Sequence, residues 1–195
     1  MKEAFSALAI GLTLWAFIPY IRSIYRGKTK PHVFSWVIWG STTFIVFLAQ
    51  MADGGGLGAW PIGVSGIISM GVAWLAFQQH NNFTISRLDW FLFLIAIAAI
   101  PIWYLTQNPL WAVIILTTID VIGFGFTFKK GYYKPFEESL TFYSIMTVRN
   151  GLAILALEHY STTTVLFPAA LALVAIVFIG MVVVRRKLQG KAFNT

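Results

Sequence analysis

Cysteine is absent from these 195 residues. That excludes disulfides, thiol nucleophiles and thiolate metal ligands, but fixes no compartment, because a chain without thiols is compatible with any redox state. Charge is also scarce, at 11% of the chain, and only seven residues are acidic. Histidine occurs three times, as His32, His80 and His159, with no two at ligand spacing on one helix face, so neither a metal centre nor a bound cofactor is expected. No polar stretch is long enough to fold as a soluble domain. What the chain has instead is apolar mass: 58% hydrophobic residues and a mean hydropathy of +0.75, far from the balance of a water-soluble domain.

The apolar residues fall into seven runs, at 4–21, 33–51, 60–78, 88–105, 110–128, 136–157 and 165–184. A helical crossing of a bilayer needs roughly 20 apolar residues, so seven crossings with short connections use nearly the whole chain. Backbone groups in lipid must be satisfied within a segment, which makes these runs helices, and the alternation of a barrel strand is missing. The expected fold class is therefore an all-α membrane protein of seven transmembrane helices, with the lipid bilayer as its first partner.

The formal charge of +7 raises the question of nucleic acid, and its placement answers it. Arg22, Arg26, Lys28 and Lys30 follow the first run, Arg87 follows the third, Lys129, Lys130 and Lys134 follow the fifth, and Arg185, Arg186, Lys187 and Lys191 follow the seventh. Successive helices alternate direction, so all of these cations share one side, whereas the opposite side holds Lys2 and Arg149 lies inside the sixth run. The positive-inside rule then places the N-terminus outside and the C-terminus in the cytoplasm. The basic charge reads as a topology signal, not as a nucleic-acid surface. Pro19-Tyr20-Ile21-Arg22 offers no small-residue cleavage site, so the first run is expected to be an uncleaved anchor. A bacterial inner membrane is the expected location.

The chain also resembles itself. Gly27-Lys28-Thr29-Lys30-Pro31 and Gly131-Tyr132-Tyr133-Lys134-Pro135 share Gly-x-x-Lys-Pro at an offset of 104, which also pairs Ser35 with Ser139 and Trp39 with Tyr143. Both copies sit in the basic connection after the first helix of a three-helix unit. Glycine at this place ends a helix in a left-handed conformation, lysine stays in the interface, and proline suits the first turn of the next helix. Two three-helix units separated by one helix have the same orientation, and they are related by an axis along the membrane normal. The expected units are residues 1–86, a linker helix at 87–106, and residues 107–195 with a short basic tail.

In this layout the chain resembles the SWEET and PQ-loop superfamily of small membrane transporters, which includes half-size sugar transporters and PnuC-type vitamin transporters. Pro19-Tyr20 stands where the family carries Pro-Gln in the first unit, Gly123-Phe124 where it does in the second, and Trp36-Val37-Ile38-Trp39 is similar to the Trp-x-x-Trp of the PnuC type. Neither the third nor the seventh run holds the asparagine of the sugar transporters, which turns the expectation away from sugar. The resemblance implies a 3+1+3 fold and alternating-access transport of a small polar metabolite.

Asp120 and Arg149 are the ionisable residues inside runs, and such residues are costly in lipid unless paired or facing a cavity. At 1.5 Å of rise per residue they lie about 13 Å and about 20 Å from the basic side. They form either a structural ion pair between two helices or a site in which Asp120 takes up a proton or cation and Arg149 holds a substrate anion. Asn150 follows Arg149 but lies about 100° around the helix, and need not face the same space. Trp15, Ser35, Trp39, Gln50 and Tyr143 are further substrate-binding candidates, through stacking and directional hydrogen bonds. Pro19 is a candidate hinge. Ser65, Ser69 and Ala73 form a small-residue stripe suited to helix packing. Trp60, Trp90, Trp103 and Trp111 read as interfacial belt residues, and Glu137 and Glu138 as complements to a helix dipole. A receptor or assembly factor built on the same bundle is the competing reading. An intramembrane enzyme is disfavoured by the lack of a nucleophile with an adjacent base or of a carboxylate pair.

Overall fold

The computed structural model describes residues 1–27, 33–79 and 87–192. Lys28, Lys30 and Pro31 of the first repeat copy, with His32 and His80, lie outside the described residues. Seven α-helices follow one another: α1 (Lys2–Tyr25), α2 (Val33–Ala52), α3 (Trp60–Gln79), α4 (Arg87–Thr106), α5 (Pro109–Tyr133), α6 (Leu140–Leu155) and α7 (Thr162–Ala192). Short 3-10 turns at Gly56–Gly58 and Pro135–Glu137 precede α3 and α6, and there is no strand among the described residues.

Five of these helices are long and apolar enough to cross a membrane, which makes the chain a multi-pass integral membrane protein. Among the described residues the other two hold shorter apolar stretches, Trp90–Thr106 within the 20-residue α4 and Leu140–Leu155, the whole of α6. For α6 the reason is local. Pro135 opens a separate 3-10 turn, and Ser139 then caps the true helix, its hydroxyl accepting from the Phe142 amide at 3.3 Å. The remaining 16 residues span about 24 Å, short of a hydrocarbon core of roughly 30 Å.

The bundle exposes large apolar residues and buries several polar ones around an interior that is itself mostly apolar. Leu8, Leu14, Trp15 and Ile18 on α1, and Phe91, Leu94 and Ile97 on α4, are exposed, whereas Thr13, Thr42, Gln50, Asp120, Arg149 and Asn150 are buried. Outward apolar faces are at no disadvantage in lipid, and interior polar groups can satisfy one another there. Trp60, Trp90 and Trp111 are about half exposed at helix ends; Trp103 instead packs on the apolar core that α2, α4 and α5 share.

Packing repeats along the chain. α3 lies against both α1 and α2, and α7 against both α5 and α6. Between these sets α1 packs on α6 and α2 on α5, while α4 rests on α5 and α2. Exchanging α1, α2 and α3 for α5, α6 and α7 leaves the neighbours among these six helices unchanged, and α4, which packs on α5 and α2, breaks the symmetry. The glycines of the repeat motif behave differently, however. Gly27 ends α1 with φ +66°, its amide N–H donating to the Ile24 carbonyl at 2.9 Å, in the left-handed manner expected. Gly131 does not end α5, which runs on to Tyr133; an added Cβ would sit 2.6 Å from the Phe178 ring of α7, so this glycine permits close helix packing. Pro135 likewise begins the 3-10 turn and not α6 itself.

The two ends of the bundle differ. At one end the α2–α3 connection and the α6–α7 connection interlock. Glu158 donates its amide to the Gly55 carbonyl at 3.2 Å and accepts from the Leu57 amide at 3.2 Å through its carboxylate. Ser6 of α1 donates to the Leu57 carbonyl at 2.7 Å, and Gln50 of α2 to the Thr164 carbonyl of α7 at 2.7 Å. Asp53 accepts from the Ser161 hydroxyl, and its carbonyl is hydrogen bonded to His159 at 2.9 Å. Only glycine fits this contact: Gly56 has φ +55°, and a Cβ there would overlap the Glu158 carboxylate, while at Gly58 it would lie 2.5 Å from the Leu157 amide nitrogen. At the other end the bundle holds a cavity.

Candidate functional site

The cavity has a volume of about 800 Å³ and is lined by residues of α1, α2, α3, α5, α6 and α7. Its lining runs from Arg149 and Asn150, near the interlocked end, to Pro19, Tyr20, Trp36, Glu138 and Ser139, at the end of the bundle that carries the Lys129–Lys134 segment. Small residues make the room: Ala16, Ser65, Ser69, Gly123 and Ala175 all line it. Ser65 and Ser69, expected to serve helix packing, are therefore part of a cavity wall.

Two aromatic groups face this space. On the α1–α2 side, Trp36 is the centre of a ring cluster with Phe17 at 6.1 Å, Tyr20 at 5.2 Å and Trp39 at 5.5 Å. Across from them Tyr143 of α6 meets Phe124 of α5 at 6.2 Å and Phe142 at 5.5 Å. Rings at these separations and tilted angles pack favourably and leave their outer faces for a ligand.

Asp120 stands in the wall on α5, 7% exposed. Thr42 of α2 donates to its carboxylate at 3.2 Å, and the same hydroxyl lies 3.1 Å from the Trp39 carbonyl, so its single hydrogen is shared between two acceptors. Arg149 on α6 is 3% exposed, and three of its N–H groups point into the protein. Nε donates to the Thr13 hydroxyl of α1 at 3.1 Å, one terminal nitrogen to the Asn150 side-chain oxygen at 2.5 Å, and the other to the Pro61 carbonyl of α3 at 2.9 Å. One guanidinium thus ties α6 to α1 and α3 at the floor of the cavity. Among the described residues no ion pair joins Asp120 and Arg149, so of the two readings of these residues the structural pair is not the one formed. The two groups sit on helices α5 and α6, and each finds neutral partners on helices that lie closer.

Six of the sequence candidates line the same cavity: Pro19, Trp39, Asp120, Tyr143, Arg149 and Asn150. Asn150 does so despite its 100° offset, and its side-chain oxygen accepts from Arg149. Three candidates lie elsewhere. Trp15 is 59% exposed on the outer face of α1, Gln50 belongs to the interlocked end, and Ser35 is outside the lining. Lys134 and Pro135 are in the connection before α6. Several lining residues were not among the site candidates. Trp36 lies three residues before Trp39, on the same helix face, a spacing that carried the signal; Phe17 and Tyr20 flank Pro19 without a pattern of their own. Glu138, expected only to complement a dipole, is buried in the lining and accepts from the Tyr143 hydroxyl at 3.2 Å, while its carbonyl accepts from Arg186 at 2.7 Å.

Compared with known proteins, the chain matches no family model, no curated protein and no solved structure.

Proposed function

We propose that this protein is a small membrane transporter that moves a polar metabolite through the cavity by alternating access. The observation that carries the reading is the asymmetry of that cavity: polar and aromatic, about 800 Å³, lined by α1 to α3 and by α5 to α7, and closed at one end by interlocked connections. That volume matches ligand pockets in general, and a midplane site between repeated units is a transporter arrangement. The self-exchanging neighbour pattern supports two parallel three-helix units with α4 as linker, the 3+1+3 layout of the SWEET and PQ-loop superfamily. With the N-terminus outside, as the basic residues argue, the interlocked end is the outer one and the cavity faces the cytoplasm of a bacterial cell.

The lack of native cysteine allows a clean test. A single Ser69→Cys, placed in the cavity wall, is expected to react with a membrane-impermeant thiol reagent from the side of the Lys129–Lys134 segment in oriented proteoliposomes. Adding Glu158→Ala, which removes the acceptor for the Leu57 amide, is expected to admit reagent from the opposite side as well. Labelling confined to one side under every condition would sink alternating access and favour a receptor or assembly factor.

A further inference from the structure

A buried charge in a membrane bundle is normally neutralised by a partner of opposite sign, because desolvation without pairing costs several kcal/mol. Besides Glu138, which is bonded to Tyr143, this cavity is lined by two ionisable groups that have no partner of opposite sign among the described residues. Asp120 has a threonine hydroxyl as its hydrogen-bond partner among the described residues, and Arg149 has a threonine hydroxyl, an amide oxygen and a backbone carbonyl. They are of opposite sign, both line one cavity, and they do not meet.

A guanidinium presents five N–H donors, and three are committed to the protein, which leaves two for a ligand acceptor. An acidic ligand alone would satisfy Arg149 and leave the carboxylate of Asp120 opposed to it. A basic ligand alone would do the reverse. A net-neutral ligand bearing both charges answers both groups, and enters without carrying net charge into a low-dielectric space. The rings of Trp36, Trp39, Phe124 and Tyr143 line the same cavity, and they suit a flat or apolar body and can offer their faces to an ammonium.

We propose that the cavity binds a small zwitterion, its ammonium group toward Asp120, its carboxylate toward Arg149 and its side chain among the aromatic walls. This rests on the transporter reading and names the substrate class of that same site.

The test uses four probes with one ring and different charge: L-phenylalanine, 2-phenylethylamine, 3-phenylpropionate and 2-phenylethanol. Binding to the purified protein in detergent is read as a concentration-dependent rise in melting temperature at millimolar probe. L-phenylalanine is expected to bind about tenfold or more tightly than either singly charged analogue, since a site built for two charged partners penalises loss of one. In Asp120→Asn, which keeps size and the approach of Thr42, the preference for L-phenylalanine over 3-phenylpropionate is expected to disappear. Arg149→Lys, which keeps the positive charge, tests the other arm through the preference over 2-phenylethylamine. Equal binding of all four probes, tighter binding of a singly charged one, or no binding by any of them overturns the zwitterion assignment. Labelling of Ser69→Cys from both sides would leave transport standing in each of those cases, so the two readings fail separately.

Discussion

The two ends of this bundle are built from equivalent helices and solve opposite problems. At the interlocked end, contact is made by backbone: Gly55, Leu57, Pro61 and Thr164 supply carbonyls or amides, and glycines at 56 and 58 let the connections approach without side chains between them. At the cavity end, contact is made by rings and polar side chains that stand apart. Backbone-to-backbone closure is rigid but depends on the absence of Cβ atoms, whereas side-chain walls keep volume open at the expense of buried polar groups. The difference teaches that closure of the interlocked end rests on a few glycine contacts and not on the helices as a whole.

Arg149 sits where the two ends meet, so its loss is the largest expected effect. Arg149→Ala leaves the Asn150 oxygen and the Pro61 carbonyl without their donor and detaches α6 from α1 and α3. A destabilisation of about 3 kcal/mol or more is expected, measured by SDS unfolding in mixed micelles. A loss under about 1 kcal/mol would show that the guanidinium is not the tie between the ends.

The next effect concerns the interlocked end alone. Gly58→Val places a Cβ against the Leu157 backbone and 2.7 Å from the Ala153 carbonyl, atoms that cannot rotate away. About 1–3 kcal/mol of destabilisation is expected, and with it reagent access to Ser69→Cys from the interlocked side. Unchanged access would mean that the closure does not depend on this glycine contact.

Gln50→Leu is the smallest and the most discriminating. It removes the bond to the Thr164 carbonyl, but the side-chain oxygen of Gln50 is buried with no hydrogen-bond partner among the described residues, and deleting that oxygen offsets part of the loss. The expected cost is about 1 kcal/mol or less in the same unfolding assay. A cost as large as that of Arg149→Ala would move the main tie of the interlocked end from backbone contacts to this side chain.

Much of the fold was legible because lipid imposes a strong rule. Apolar runs had to be helices, and each of the seven coincides with an α-helix, although α5 and α7 continue past their apolar runs into the basic segments and α6 starts later than its run. There the run of apolar residues from Phe136 hid a helix start at Leu140, since Pro135 and Ser139 dictate local structure that hydropathy does not see. Within the site, depth in the membrane marked Asp120 and Arg149 by an energetic rule. Trp15 was unreadable by the same logic: an aromatic ring in a membrane helix faces lipid or cavity according to helix rotation, and a nearly uniformly apolar helix carries no periodicity to fix that rotation.

By itself the sequence determined the solvent and the secondary structure, and it marked the two charges, because each follows from the free energy of placing a residue type in hydrocarbon. Only the tertiary structure decided that Asp120 and Arg149 stay apart, that Asn150 and the serines of α3 face the same space, and that one end is closed by glycine contacts. Those outcomes depend on which helix lies beside which, and on distances of a few ångströms between residues as far apart in the chain as Thr13 and Arg149. A local pattern carries no information at that range.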